Sequence, residues 1–152
     1  MPRLNSDREL EHLRQRLCEK RKSITTTVVI SGGTCGEAAQ SGAVVEAIRD
    51  ELSKQGLSSR VRVCATGCHG FCEQEPLVII EPSNVFYCRV SPEDAFEIVS
   101  RTVARGEVIE RLLYSDTVSG ERVQTESKIP FYRAQDRQLM SQNRMVDPCS
   151  IE

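Results

Sequence analysis

The sequence predicts an α/β fold, a four-stranded mixed sheet with flanking helices. Three observations predict it. Short β-branched runs alternate with longer stretches of helical periodicity between residues 7 and 105. The first two strand-like runs are separated by a helix, as a parallel β-α-β unit requires. The last two stand at hairpin distance and are followed by a segment with its own helix-start signal.

In chain order, residues 7–22 (DRELEHLRQRLCEKRK) predict a helix, with Leu10, Leu13 and Leu17 on one face and solvated charge opposite. TTTVVI, 25–30, is β-branched and unbroken, the pattern of a buried strand. SGGTCG, 31–36, is a turn-forming loop. Residues 38–55 predict a second helix, striped by Val44, Ile48 and Leu52 and ended by Gly56. RVRVCA, 60–65, alternates as a strand and leads into the loop TGCHGFCEQEP, 66–76. LVII, 77–80, and VFYCRV, 85–90, are strands joined by the turn EPSN, 81–84. Ser91, Pro92 and Asp94 carry a capping-box start for a helix that places Phe96, Val99 and Val103 inward and closes at Gly106. Thioredoxin-like domains have this order of elements. After Glu107, VIERLLY is apolar enough to dock, and the chain beyond is polar, with one apolar knot at Ile129, Phe131 and Tyr132. The expected organisation is an N-terminal helix over 1–23, the α/β domain over 24–114, and a linker or docking tail over 115–152.

A chain of 152 residues corresponds to about one domain. Its formal net charge of −2 supplies no global field toward nucleic acid or membrane. Its apolar runs are too short and broken to span a bilayer, and its charged N-terminus lacks the apolar segment of a signal peptide. The expectation is a soluble cytoplasmic protein with no transmembrane segment and no nucleic-acid partner.

Seven cysteines are many for such a chain, and the odd count speaks against a purely disulfide framework. In a reducing compartment stable disulfides are rare. Cys64, Cys68 and Cys72 are clustered, and Cys35 stands in its own glycine-rich loop. A tight loop with two thiols four residues apart can hold a disulfide, metal ligands or packed side chains. Iron–sulfur clusters take thiolates delivered from loops, and glycine there permits tight turns and close approach of N–H groups to sulfur. Both cysteine loops follow strands expected to run parallel, so their ends meet at one sheet edge.

TGCHGFCEQEPLVIIEP together with VFYCRVSPED resembles the thioredoxin-like [2Fe–2S] ferredoxin domain, over about residues 25–114. The most similar form is the one fused at the N-terminus of NADH-binding flavoprotein subunits of complex I-related dehydrogenases and NAD(P)-linked hydrogenases and formate dehydrogenases. KIPFYRAQDRQ is similar to the run-in to the flavin domain of those subunits. The family's ligand pattern is C-x4-C in the first loop and C-x3-C in the second. The second pair carries over to Cys68 and Cys72. In the first loop Ser31 stands where the first cysteine is expected, and Cys35 falls one place early for the second. The resemblance therefore implies a [2Fe–2S] cluster on Cys35, Cys68 and Cys72, with Cys64 as the fourth ligand. Ser31 is the weaker candidate, because a serine oxygen is a poor substitute for thiolate on iron.

Other residues have plainer readings. Cys88 is expected in the core, Cys18 as structural and Cys149 as incidental; His69 and His12 are expected at the surface. Glu73 and Glu75 either place negative charge near the cluster or are simply solvated. SGGTCGEAAQSG lacks the lysine and residue order of a phosphate-binding loop.

The resemblance implies single-electron relay to or from a flavin/NAD(P)H-dependent oxidoreductase complex. The partners would be a flavin/NAD(P)-binding subunit or domain and a second redox subunit. FMN, NAD and [4Fe–4S] groups are expected only in a following C-terminal part or a partner, and no catalysis is expected of this chain alone. The alternatives are a cluster-free or zinc-stabilised docking module and a thiol–disulfide redox protein. C-x3-C has the wrong spacing for the last, which uses C-x-x-C.

Overall fold

The computed structural model describes residues 4–148, so Cys149 lies outside the described residues. Helix α1 (Asp7–Lys22) has the predicted bounds. Ser6 caps it by accepting the Glu9 N–H, and Lys20, Arg21 and Lys22 face the negative end of its dipole. None of its residues is buried, and Leu10 of the leucine stripe is 52% exposed.

Strands β1 (Thr26–Ser31) and β2 (Val61–Thr66) pair in parallel. Between them lie α2 (Thr34–Ala38) and α3 (Ser41–Lys54). The single helix expected over 38–55 is thus divided and begins earlier, inside the segment expected as a loop. Gln40, at φ 69°, takes the left-handed conformation that breaks it. Strands β3 (Val78–Glu81) and β4 (Val85–Tyr87) form the expected hairpin, and β3 runs antiparallel to β1. The sheet order is β2-β1-β3-β4. β4 ends sooner than its sequence suggests, because Arg89 adopts φ 50° and its N–H turns to the Gln74 carbonyl, 2.9 Å away.

A helical run follows: a 3-10 turn (Pro92–Asp94), a short α4 (Ala95–Glu97) and a π-helical stretch (Ile98–Val103). Its start is the predicted one. The Asp94 carboxylate accepts the Ser91 N–H at 2.8 Å and the Ser91 hydroxyl at 2.9 Å. Its inward face is Ala95, Ile98, Val99 and Thr102. Phe96, expected to point inward, is 63% exposed, because it lies one step off that i, i+3, i+4, i+7 row.

Both faces of the sheet are buried, which accounts for the unbroken apolar strands. On one face, Val28, Ile30, Val78, Ile80 and Tyr87 pack with Val44, Ile48, Leu52, Ile98 and Val99 of the helices. On the other, Val29, Leu77, Ile79, Phe86 and Cys88 pack with Phe71, Tyr114, Ile129 and Tyr132. The second face is therefore covered by the segment expected as a linker or docking arm. It contains the ribbon of β5 (Tyr114–Ser115) and β6 (Arg122–Val123), a 3-10 turn (Glu126–Lys128) and α5 (Pro130–Arg133). Among the described residues, no helix is long and apolar enough to cross a membrane.

Candidate metal centre

The parallel register sets Ser31 opposite Thr66, so the loops after β1 and β2 leave the sheet side by side. They touch. A Cβ on Gly32 would stand 2.6 Å from the Thr66 carbonyl oxygen, and one on Gly33 would stand 3.5 Å from the Cys68 Cβ. Glycine at 32 is what lets the first loop close on the second. Cys35 lies at the second position of α2 and Cys72 opens a 3-10 turn, Cys72–Gln74.

These loops bring three thiols together. Cys68 Sγ and Cys72 Sγ are 3.9 Å apart. Cys35, in the adjoining loop, is the neighbour that most raises the Cys72 thiol above its usual range. Burial raises the Cys68 pKa, while the Gly70 N–H, donating to Cys68 Sγ at 3.2 Å, works in the opposite direction. Cys35 and Cys72 are exposed and Cys68 is half-buried. Among the described residues, no three His, Cys, Asp or Glu side chains are disposed to hold one metal ion. A [2Fe–2S] cluster divides its ligands between two irons and spreads its donors more widely than one tetrahedral ion does.

Cys64 is not brought to this group. It is buried in the middle of β2, in register with Val29. Strand alternation turns Val61, Val63 and Ala65 toward the helices and Cys64 toward the opposite face. Burial raises its pKa, and the groups acting on it are Arg62, Asp147, Glu81 and Arg21 rather than a thiol. Ser31 is also engaged elsewhere. Its hydroxyl donates to the Glu75 carboxylate and accepts the Leu77 N–H at 3.0 Å. Glu75 is correspondingly buried, and desolvation holds its carboxyl above the usual range. The solvated reading of Glu75 is thereby overturned, whereas Glu73 is exposed.

His69 departs furthest from expectation. It is fully buried instead of lying at the surface. Thr66 Oγ1 shares a hydrogen bond with His69 Nε2 at 2.7 Å and also lies 3.2 Å from the Ile30 carbonyl oxygen. Burial lowers the His69 pKa to about 4, and the ring is neutral at pH 7. Cys88 packs in the second core as expected, its thiol pushed by burial up to about 12.

The tail residues that bond the backbone around His69 carried no sequence signal of a site role. Arg137 Nη2 donates to the His69 carbonyl at 2.8 Å. Asn143 Nδ2 donates to the Cys68 carbonyl at 3.1 Å, and the Asn143 carbonyl accepts the Gly67 N–H at 3.2 Å. These contacts involve backbone groups of the loop, which leave no mark in the pattern of side chains. The aromatic knot was legible: Phe71 stacks on Phe131 at 4.3 Å and meets Tyr132 edge-on at 5.5 Å.

No family model matches the chain. A 2Fe-2S ferredoxin of Clostridium pasteurianum is 44% identical over 69 residues, covering 45% of this chain and 68% of that protein. The NADP-reducing hydrogenase subunit HndB of Solidesulfovibrio fructosivorans is 30% identical over 128 residues, 81% of this chain and 98% of that one. The crystal structure of the thioredoxin-like [2Fe–2S] ferredoxin from Aquifex aeolicus matches with a TM-score of 0.55 and 27% identity, over 61% of this chain and 99% of that chain. The sheet order, the adjoining cysteine loops and these relatives agree, and the chain belongs to the thioredoxin-like [2Fe–2S] ferredoxins.

Proposed function

We propose that this chain is a one-electron carrier, in which Cys35, Cys68 and Cys72 hold a [2Fe–2S] cluster at the exposed edge of the sheet. The observation that carries the reading is the convergence of thiols from two loops that the β1–β2 register holds side by side. When bound, the cluster supplies reversible one-electron chemistry without bond-making by the protein. The chain's own residues do the rest. Gly32 and Gly33 allow the loops to meet, the Gly70 N–H donates to a ligand sulfur, and Phe71 anchors the second loop in the core. Exposure of Cys35 and Cys72 leaves one side open to a redox partner.

The partner we infer is a flavin/NAD(P)-binding subunit or domain of a cytoplasmic oxidoreductase complex, with a further redox subunit as the other terminus. Likeness to a hydrogenase subunit over most of both chains supports that setting. Cys64 belongs to the buried strand in this reading and not to the ligand set.

Anaerobic purification or reconstitution followed by visible absorption, iron and sulfide analysis tests the reading. The expected protein is red-brown, carries iron and sulfide in equal amounts and bleaches with dithionite. Cys72→Ser loses or shifts the spectrum, and Cys64→Ser keeps it. A colourless protein after reconstitution, or one that binds zinc in place of iron and sulfide, overturns the assignment.

A further inference from the structure

We propose that Arg137 is a positioning residue for the metal centre, acting on Cys68 through the His69–Gly70 peptide. This rests on the reading of Cys68 as a ligand. The two ends of one peptide unit are occupied in series. Arg137 Nη2 donates to the His69 carbonyl at 2.8 Å, and the N–H of the same peptide, that of Gly70, donates to Cys68 Sγ at 3.2 Å. Hydrogen bonds in such a chain polarise one another, and the effect is stronger where water is excluded. A guanidinium on the carbonyl oxygen draws electron density toward that end and makes the N–H a better donor to sulfur.

The guanidinium is held for this purpose on several sides. Arg137 Nη1 pairs with Glu126 at 3.0 Å, with side chains only 20% and 14% exposed. The Tyr132 ring lies 4.8 Å from the guanidinium carbon. The peptide is held as well. Gly70 adopts φ +82°, a conformation that L side chains rarely take, and a Cβ there would stand 3.5 Å from Met140 Cε. Asn143 bonds the carbonyl of the preceding Cys68 peptide. The arrangement is a fixed electropositive path from residue 137 to a sulfur sixty-nine positions earlier, with nothing but one peptide between them.

Negative charge on the ligand sulfurs grows when an electron is added, so a strengthened N–H···S bond favours the reduced state. Arg144 supplies an internal comparison. It also pairs with Glu126, and with Glu81 at 3.1 Å, but its hydrogen bonds are to Glu126, Glu81 and Asn84 rather than to the cysteine loop.

The test measures the midpoint potential of the loaded protein and Gly70 amide exchange in the metal-free protein, for Arg137→Gln, Arg137→Lys, Arg144→Gln and Glu126→Gln. Arg137→Gln is expected to disfavour reduction by about tenfold, which is about 59 mV for one electron. It also speeds Gly70 exchange several-fold. Arg137→Lys recovers at least half of both effects. Arg144→Gln, which removes the same charge from the same carboxylate, moves the reduction equilibrium less than twofold. Glu126→Gln leaves the cation uncompensated and shifts the potential upward, so the sign is testable even where Arg137→Gln fails to fold. The inference is overturned if Arg144→Gln matches Arg137→Gln, since that is bulk charge. It is also overturned if Glu126→Gln lowers or does not move the potential, or if Gly70 exchange is unchanged in Arg137→Gln. Failure to bind a cluster in the wild type sinks the electron-carrier reading instead, and the Gly70 measurement still decides whether the relay exists.

Discussion

Replacing Ile129 by alanine decides whether residues after Tyr114 belong to the cooperative fold. Ile129 has no exposed surface and packs among Leu77, Ile79, Phe86 and Tyr132 on the second face of the sheet. The change removes three carbons. At about 0.8 kcal/mol per buried methylene the transfer loss is about 2.4 kcal/mol. The cavity left behind brings the total to about 3–4 kcal/mol, within the usual span for large-to-alanine changes in a core. For a chain of this size that corresponds to roughly 10 °C in Tm. The assay is urea unfolding of the reduced, metal-free protein followed by far-UV circular dichroism. Leu139→Ala is the companion measurement. Leu139 lies in the same tail but is 98% exposed, so its truncation is expected to fall within about 0.5 kcal/mol of wild type. If Ile129→Ala costs no more than Leu139→Ala, with an unchanged denaturant slope, the tail does not cover the sheet in solution and the two-sided core is wrong.

Further outcomes follow from the loops and from the Ser91 cap. Gly32→Ala puts a methyl 2.6 Å from the Thr66 carbonyl, a backbone atom that cannot swing aside, so the cysteine loops must part. A loss of about 1–3 kcal/mol is expected on denaturation, with poorer iron retention on gel filtration. Asp94 titrates below the ordinary carboxylate range: burial opposes this, but the Ser91 N–H and hydroxyl and the Arg111 guanidinium at 2.6 Å outweigh it. Because the folded pKa is the lower one, its stabilisation is complete above the unfolded value of about 3.9 and is lost as pH falls through the folded value. Asp94→Asn should therefore cost about 1–2 kcal/mol at pH 7, and the gap to wild type in urea titrations should close as the pH falls through the lowered folded value.

The parts of the fold that could be read in the sequence are those in which local and tertiary forces agree. Val28, Val29 and Ile30 are β-branched and buried on both sides, so β1 is plain in the pattern. Ser91, Pro92 and Asp94 satisfy the first turn of a helix locally, and tertiary packing only confirms them. The side-by-side exit of the loops that carry Cys35 and Cys68–Cys72 follows from parallel pairing, which needs no knowledge of side-chain contacts. Cys64 lies in the buried strand, on the side that the alternation of Val61, Val63 and Ala65 marks for it, and its nearness in sequence to Cys68 does not bring it to the loop. Phe96 differs from expectation only in helical phase, one step off the inward row. The exposure expected of His69 and the solvated reading of Glu75 fail for a different reason: each is buried in a loop, and a loop residue carries no periodicity from which burial can be inferred. Arg137 and Asn143 were illegible for the same cause, since they recognise loop carbonyls and not side chains.

The distribution of buried groups around the second loop ties metal retention to the tail. Cys68 and Cys72 alternate with residues that point the other way. His69 is sealed beneath the tail, and Phe71 inserts between Tyr114, Phe131 and Tyr132. Each thiol at the rim is thus flanked by a buried anchor, and those anchors pack on residues more than forty positions later in the chain. A loop held in this way has given up its conformational freedom before a metal arrives, so the ordering cost is met by packing and not by ligation. The converse holds with the same magnitude. A metal that fixes Cys68 and Cys72 also fixes Phe71, and by linkage stabilises the docking of residues 129–132 as much as that docking stabilises the metal. The polar tail is on this argument the second wall of the metal-binding loop, and a partner that draws it away would loosen the cluster's seat from a surface far from the sulfurs themselves.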